Sequence, residues 1–161
     1  MAALLTTSHE TVFVKGLHRD HTSRPTQDIE WMISPYVVQV APRLLWRVDE
    51  GEWDLLGFEA IDGRHAVFVE PGSPDLPLLI DTMTLLGRLT APRLLIRNAE
   101  DLWRPYLDDP EDSRLLAGGR LPYTDYKPLN VLVEGSRALL VDWTSPTRGP
   151  DGSTRHASSS G

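Results

Sequence analysis

The chain has 161 residues, 40% of them apolar, and carries a net charge of −7; this charge disfavours nonspecific nucleic-acid binding, which needs a basic surface, and favours small cationic substrates. It contains no cysteine, which excludes disulfides. No apolar run reaches the roughly 20 residues that a membrane-spanning helix needs, and the N-terminus does not resemble a secretion signal, so we expect a cytoplasmic protein without a membrane partner.

The first predicted strand carries a lysine. Residues 11–16 form a β-branched run that contains Lys15. Only two of the 16 basic residues of the chain are lysines, Lys15 and Lys127. A lysine is a compact and mobile point charge that suits contact with a phosphate, and arginine does not simply replace it. The alternative for Lys15 is a solvated charge at the end of a strand.

A short helix is predicted after this strand, over residues 25–35. Proline is well tolerated in the first turn of a helix, and Pro35 would end it. The helical spacing of its aliphatic residues predicts one buried apolar face, made of Ile29, Met32 and Ile33. Glu30 lies on the same helix, and the alternative for it is a solvated surface charge.

The middle of the chain predicts a hairpin from residues 42–48 and 53–59, followed by a turn over 60–64. A helix is predicted over 75–86, with Asp75 as its N-terminal cap.

A further helix is expected over 99–107, with Trp103 and Leu107 on one face. The acidic segment 108–112 is most simply a solvated linker.

Three oxygen-bearing side chains surround a second predicted hairpin, whose strands are residues 131–133 and 138–141. Antiparallel strands bring their open ends together, so Asn130 and Asp142 should lie side by side. Asp125 lies one loop upstream. An ordinary hairpin flanked by polar turn residues is the alternative, because such residues are common in turns.

These three residue types are those that phosphoryl transfer requires. An aspartate can accept the proton of an attacking hydroxyl. An amide oxygen and a second carboxylate are hard ligands that suit Mg²⁺. The spacing therefore indicates a base at Asp125 and a metal site at Asn130 and Asp142.

The same residues resemble the aminoglycoside phosphotransferase and choline-kinase-like family, a branch of the protein-kinase-like fold. Its catalytic loop reads His-x-Asp-x-x-x-x-Asn, which Asp125 and Asn130 match, with Tyr123 in place of the histidine. Residues 141–149, which include Asp142, are similar to the VDW-x-x-PTRG segment of the family. The family histidine that Tyr123 replaces is mainly structural in kinase-like folds.

The resemblance implies a partial, bilobal α+β fold. Its N-lobe would be an antiparallel sheet with one helix (1–59), followed by a hinge and linker (60–74). The C-lobe would be mainly helical and would contain the catalytic loop and the metal-binding hairpin (75–149). A disordered tail is expected over 150–161.

The resemblance also implies site roles and two cofactors, ATP and Mg²⁺. Lys15 would contact phosphate and be oriented by Glu30. Asp125 would be the base, and Asn130 and Asp142 the metal ligands. Glu59 and Ile61 would belong to the hinge that holds the adenine, and a plain exit from the hairpin is the alternative for them.

The implied function is transfer of the ATP γ-phosphate to a hydroxyl of a small, cationic molecule. The alternatives are a catalytically impaired kinase-like binding module or truncated remnant, and an α+β domain without a nucleotide site that is held by a partner. The family begins with two strands around a glycine-rich loop and ends with further helices, so we expect the chain to be truncated at both ends. Copies could then associate through a free sheet edge or uncovered helices.

Overall fold

The first half of the chain forms a four-stranded antiparallel sheet with one helix packed on it, in a computed structural model that describes residues 1–93 and 96–150. The order of the strands across the sheet is β1-β2-β4-β3. Their bounds are β1 Ala2–Thr6, β2 Thr11–His18, β3 Leu44–Glu50 and β4 Trp53–Glu59. The predicted strand around Lys15 and the hairpin that follows it are confirmed.

The register of β2 decides which side of this sheet carries the lysine. Side chains alternate between the two faces of a strand, so Val12 and Val14 lie on one face while Phe13 and Lys15 lie on the other. Lys15 is paired with Leu56 of β4. Directly opposed residues share a face, which places Lys15 on the side of the sheet that carries the buried Leu56.

Helix α1 (Arg24–Ile33), with a 3₁₀ turn after it (Ser34–Tyr36), packs on the sheet near where it was predicted. The prediction of its apolar face is wrong in part, since Ile29 and Met32 are only half-buried. The fully buried side chains of the helix are Gln27, Glu30 and Ile33. Two of these three are polar because the facing sheet offers them polar partners.

The second half is built around a three-stranded antiparallel sheet in the order β5-β7-β8. Its strands are β5 (Arg64–His65), β7 (Val131–Glu134) and β8 (Arg137–Leu140). The predicted hairpin is therefore present. The segment 60–74, expected to be hinge and linker, contains β5 and so contributes a strand to this sheet.

Helix α2 (Asp75–Leu86) packs against β8 at the predicted position. Asp75 does not cap it, however, because Pro74 holds the N-cap position and the Asp75 carboxylate instead binds Arg64 of β5 through two contacts of 2.6 Å. The same carboxylate accepts a hydrogen bond from the Val67 amide at 2.8 Å. Asp75 therefore joins the helix to the three-stranded sheet.

The helix predicted over 99–107 is present as α3 (Ala99–Trp103) followed directly by a 3₁₀ turn (Arg104–Tyr106). Trp103, expected on its packed face, is exposed. The acidic segment runs into another 3₁₀ turn (Pro110–Leu116), which Asp109 caps by accepting from the Glu111 amide. The second half thus combines helical segments with short strands, in agreement with an α+β fold, and α2 is the longest helix among its described residues.

A short parallel pair of strands completes the second half: β6 (Arg97–Asn98) pairs with β9 (Thr147–Arg148). Apart from Pro150, the tail predicted over 150–161 lies outside the described residues. None of the helices in the described ranges is long and apolar enough to cross a lipid bilayer.

One apolar core joins the two halves. It contains Ile33, Val37 and Val40 from the end of α1 onward, together with Leu79 of α2 and Leu140 of β8. The Leu140 amide donates a hydrogen bond of 2.7 Å to the Val40 carbonyl, which attaches the hairpin to the segment after α1.

Two apolar surfaces match the expected sites of association. Strand β1 is an edge strand whose five residues are all exposed. On α2, Leu76, Ile80 and Met83 are exposed at helical spacing. Both features are present as surfaces, and self-association through them stays a prediction.

Candidate functional site

A cleft of about 620 Å³ lies between the four-stranded sheet and the β7–β8 hairpin. Its walls are largely apolar, with Phe13 and Phe58 on the sheet side and Leu132 and Leu140 on the hairpin side. Its volume falls within the range of small-molecule sites, roughly 300–1,000 Å³. Six of the seven predicted site residues line it: Lys15, Glu30, Glu59, Ile61, Asn130 and Asp142.

Three of these residues, from distant parts of the chain, meet at one end of the cleft. The Lys15 ammonium lies 2.7 Å from Glu30 Oε2 and 2.6 Å from Asp142 Oδ1. Glu30 is 4% exposed, whereas the side chain of Asp142 is almost half-exposed. The expected contact between Lys15 and Glu30 is present, and Asp142 makes a second ion pair with the same lysine.

The cluster has one positive and two negative charges, and this imbalance appears in the pKa directions. Burial alone would lower the pKa of Lys15, but Glu30 and Asp142 outweigh it and raise that pKa. Burial raises the pKa of Glu30, and the charge of Asp142 adds to this rise while Lys15 opposes it. A further positive charge near Asp142 would therefore be electrostatically favourable.

A network of buried and half-buried charges holds α1 against the sheet and so places Glu30. Asp54 of β4 is 0% exposed, and Arg47 binds it through two contacts of 2.9 and 2.7 Å. Arg24, at the start of α1, lies 3.1 Å from the same carboxylate. The side-chain amide of Gln27 donates to the Asp54 carbonyl at 3.2 Å. Hydrogen bonding to Asp54 raises the pKa of Arg47.

The predicted catalytic loop folds back on itself around Asp125. The Asn130 amide nitrogen donates to Asp125 Oδ2 at 2.7 Å, and the Lys127 ammonium lies 2.7 Å from Oδ1. Since carboxylate oxygens only accept, the amide atom that faces them is the nitrogen, and the Asn130 oxygen points elsewhere. Each oxygen of Asp125 keeps a further lone pair for a ligand.

Asp125 opens onto a second, smaller cavity of about 230 Å³. Its lining includes Tyr123, Thr124 and Ser145. Asp142 lines both this cavity and the large cleft, as does Trp143. The structure therefore brings Asp125, Asn130 and Asp142 to the boundary between a large apolar cleft and a small polar cavity.

Asp142 has an unusual backbone conformation. Its φ is +64°, and it is the one non-glycine residue with positive φ among residues 1–93 and 96–150. Aspartate tolerates this left-handed region better than most residues, but a backbone held there still costs energy. Such conformations concentrate at functional sites because the surrounding structure has to enforce them.

Tyr123, which stands where the family has histidine, contacts the segment before Asp142. Its buried hydroxyl donates to the Val141 carbonyl at 2.6 Å, and its ring packs against Trp143 and Tyr126 with centroid distances of 4.8 and 5.2 Å. Burial raises the pKa of Tyr123 and, with smaller contributions, so do Asp125 and Asp142. Tyr123 is therefore a neutral donor at physiological pH.

The two predicted hinge residues follow the end of β4. The Glu59 amide donates to the Arg43 carbonyl at 2.8 Å, so that amide is already engaged. In the described part of the chain, the Ile61 backbone makes no hydrogen bond to another backbone group. Of the two, Ile61 has the backbone groups that are free to meet a ligand in the cleft.

A metal ion could be held here by oxygen atoms alone. No cluster of three or more His, Asp or Glu side chains suited to a metal occurs in 1–93 or 96–150. The predicted pair, Asn130 and Asp142, supplies an amide oxygen and a carboxylate. Mg²⁺ usually takes one or two carboxylates and completes its shell with phosphate and water oxygens, so this donor set fits it in the presence of a nucleotide.

The sequence interpretation missed several residues that build the site. Tyr123 departs from the family pattern, and no local signal indicates that its hydroxyl reaches Val141. His65 lines the large cleft, and no motif marks it. Asp54 interrupts an apolar strand, and that interruption could have indicated a buried charge with cationic partners.

No protein-family model matches this chain, and no curated protein sequence matches it.

Proposed function

We propose that this chain is a kinase-like phosphotransferase of the aminoglycoside phosphotransferase and choline-kinase-like type. It binds ATP with Mg²⁺ and transfers the γ-phosphate to a hydroxyl group of a small cationic molecule. One observation carries the proposal: a strand lysine, a helix glutamate and a loop aspartate form two ion pairs of 2.7 and 2.6 Å at the end of a 620 Å³ cleft.

The arrangement supports this chemistry because phosphoryl transfer depends on positioning and on charges around the phosphates. In protein kinases, a lysine on a strand is paired with a glutamate on the neighbouring helix, and an aspartate and an asparagine hold the metal. Lys15, Glu30, Asp142 and Asn130 combine the same residue types in the same structural contexts. The apolar walls of the cleft suit a flat heterocycle.

Each of these residues has a role in the proposed reaction. Lys15, held by Glu30, binds phosphate oxygens. Asp125 accepts the proton of the acceptor hydroxyl, whose oxygen bonds to the γ-phosphorus while the bond to the bridging oxygen breaks and ADP leaves. Tyr123 and Asn130 orient the two aspartates. Ile61 meets the adenine through its backbone.

Asn130 and Asp142 would hold the Mg²⁺, which when bound neutralises charge on the phosphates. The acceptor would occupy the small cavity, because Asp125 lines it. The negative charges of Asp125 and Asp142 at this cavity, together with the net charge of −7, favour a cationic acceptor.

The test is phosphate transfer from MgATP to a panel of hydroxylated amines, in the wild type and in Asp125→Ala. Loss of the base is expected to lower kcat by about 10²–10⁴-fold, with ATP affinity unchanged. Asp20→Ala is the matched control, since the Asp20 side chain is 94% exposed and lies away from both cavities. Equal kcat in the wild type and Asp125→Ala would remove the catalytic assignment.

A second candidate is a nucleotide-binding module without turnover. It is favoured by the two contacts that already engage both oxygens of Asp125, from Lys127 and Asn130. Calorimetry with MgATP separates the two candidates: binding without transfer to any acceptor supports the module, and measurable transfer excludes it.

A further inference from the structure

Val141, the residue before Asp142, is held from both sides by the predicted catalytic loop. Its amide donates to the Asn130 carbonyl at 3.0 Å. Its carbonyl accepts the Tyr123 hydroxyl at 2.6 Å. The two contacts come from opposite ends of the loop, so residues 123–130 clamp the backbone of Val141.

The clamp bears directly on the conformation of Asp142. The Val141 carbonyl belongs to the peptide unit that joins Val141 to Asp142, and the orientation of this plane enters the φ of Asp142. On the other side, the Trp143 indole is buried and donates to the Leu140 carbonyl at 3.1 Å. Asp142 therefore lies between two anchored residues, and these anchors enforce its φ of +64°.

We infer that Tyr123 is a positioning residue for the divalent cation: its hydroxyl, by holding the Val141 carbonyl, aims the Asp142 carboxylate at the ion that accompanies ATP. This inference rests on the proposed function, since it concerns the metal ligand of the same site. It assigns to Tyr123 a task beyond packing, and it makes the metal affinity of the site depend on a residue that does not touch the metal.

The chemistry of the phenol fits this task. A hydroxyl donor keeps the hydrogen bond without adding charge next to Asp125 and Asp142. Loss of the hydroxyl leaves the Val141 carbonyl without this partner, and rotation of the peptide plane then becomes favourable. The Asp142 carboxylate would turn with it, away from the ion. Lys15 still reaches phosphate, so binding of the nucleotide without metal should be spared.

The experiment measures the ATP dissociation constant by calorimetry twice for each protein, once with excess Mg²⁺ and once with EDTA. In Tyr123→Phe, the value in EDTA is expected to stay within about twofold of the wild type. The value with Mg²⁺ is expected to weaken about 10-fold, the low end of the loss seen when outer-shell partners of a metal ligand are removed. The tightening of ATP binding by Mg²⁺, here called metal-linked tightening, is thus reduced, while the ATP affinity in EDTA remains.

Tyr126→Phe is the matched control. Its ring is half-buried against Tyr123, and in the described part of the chain its hydroxyl makes no hydrogen bond. Both ATP dissociation constants should equal those of the wild type. Thermal unfolding checks that each variant is folded. If Tyr123→Phe does not fold, Tyr123→p-aminophenylalanine keeps the ring and a donor, and wild-type metal-linked tightening is expected.

The outcomes separate this inference from the proposed function. Equal metal-linked tightening in the wild type and Tyr123→Phe overturns the inference. Equal weakening with Mg²⁺ and with EDTA also overturns it, because that result describes a general packing role. Loss of tightening in the p-aminophenylalanine variant overturns it too. Absence of ATP binding in the wild type under both conditions overturns the proposed function itself.

Discussion

The two halves of the molecule hold their candidate site residues by different means. In the sheet half, charged groups place Glu30: Arg24 and Arg47 converge on the buried Asp54 beneath α1. In the hairpin half, hydrogen bonds between uncharged groups and the apolar core around Leu140 place Asp142. The two systems meet at one lysine, Lys15, which pairs with a carboxylate from each half.

Because the two halves are held by different interactions, we expect different mutations to destabilise each of them. A buried ion-pair network is sensitive to the loss of one member, since the remaining charges lose their partner. An apolar core is sensitive to lost volume, because the cavity that remains is only partly filled. Variants in each system can therefore show whether the halves are distinct.

The largest effect is expected for Leu140→Ala in the hairpin half. Leu140 is 0% exposed and belongs to the core that joins both halves. Its truncation should lower the free energy of unfolding by about 3 kcal/mol, measured by urea denaturation. Leu115→Ala is the control, because Leu115 is 70% exposed and its loss should be nearly neutral. Equal midpoints for both variants would contradict a shared core.

For Asp54→Asn in the sheet half, we expect the free energy of unfolding to fall by about 2 kcal/mol. This loss is somewhat smaller because Arg24 keeps Asp49 and Arg47 keeps Asp28 as acidic partners. Hydrogen exchange should locate the effect: amides of α1 exchange faster, while those of α2 keep their protection. Asp20→Asn, at an exposed site, should change neither. Uniform acceleration across both helices would mean that the halves do not behave separately.

The smallest effect concerns Asp75, which joins α2 to β5. The Arg64 hydrogen bonds, with that of the Val67 amide, lower the pKa of Asp75 to about 2. A depressed carboxyl pKa stabilises the fold above the unfolded pKa, near 4, and this contribution disappears as the pH falls towards 2. Asp75→Asn should therefore be less stable than the wild type at pH 7. The difference should be small, because the Arg64 side chain is more than half exposed and solvent screens its charge.

The stability difference between Asp75→Asn and the wild type should close between pH 4 and pH 2 in thermal unfolding experiments. Asp81→Asn lies on the same helix at an exposed position and provides the control. A constant difference at all pH values would show that the charge of Asp75 is not responsible.

Sequence patterns predicted those features that depend on local signals. The β7–β8 hairpin follows from two apolar runs around a turn that contains Gly135, whose φ is +57°. The position of helix α1 follows from Pro25 in its first turn and Pro35 just after its end. The contact between Lys15 and Glu30 came from family resemblance, since spacing along the chain does not place a strand residue against a helix residue 15 positions away.

Features that depend on tertiary contacts could not be predicted in the same way. Apolar periodicity selects Ile29 and Met32 for the buried face of α1, but the hydrogen-bond partner of the buried Gln27 is the Asp54 carbonyl on β4. The hydrogen bond from Tyr123 to Val141 spans 18 positions and has no local signal. Asp75 fits a helix cap by residue type alone, and only the position of Arg64 shows that it is engaged elsewhere.

The position of Asp142 on the wall between two cavities has a thermodynamic consequence. A ligand that draws this carboxylate to one side would change the electrostatic potential on the other, so we expect ligand binding in the cleft and in the small cavity to be coupled. Linkage makes such coupling reciprocal: whatever factor the first ligand applies to the affinity of the second, the second applies to the first. Titrating either ligand at fixed levels of the other would measure that shared factor from both directions.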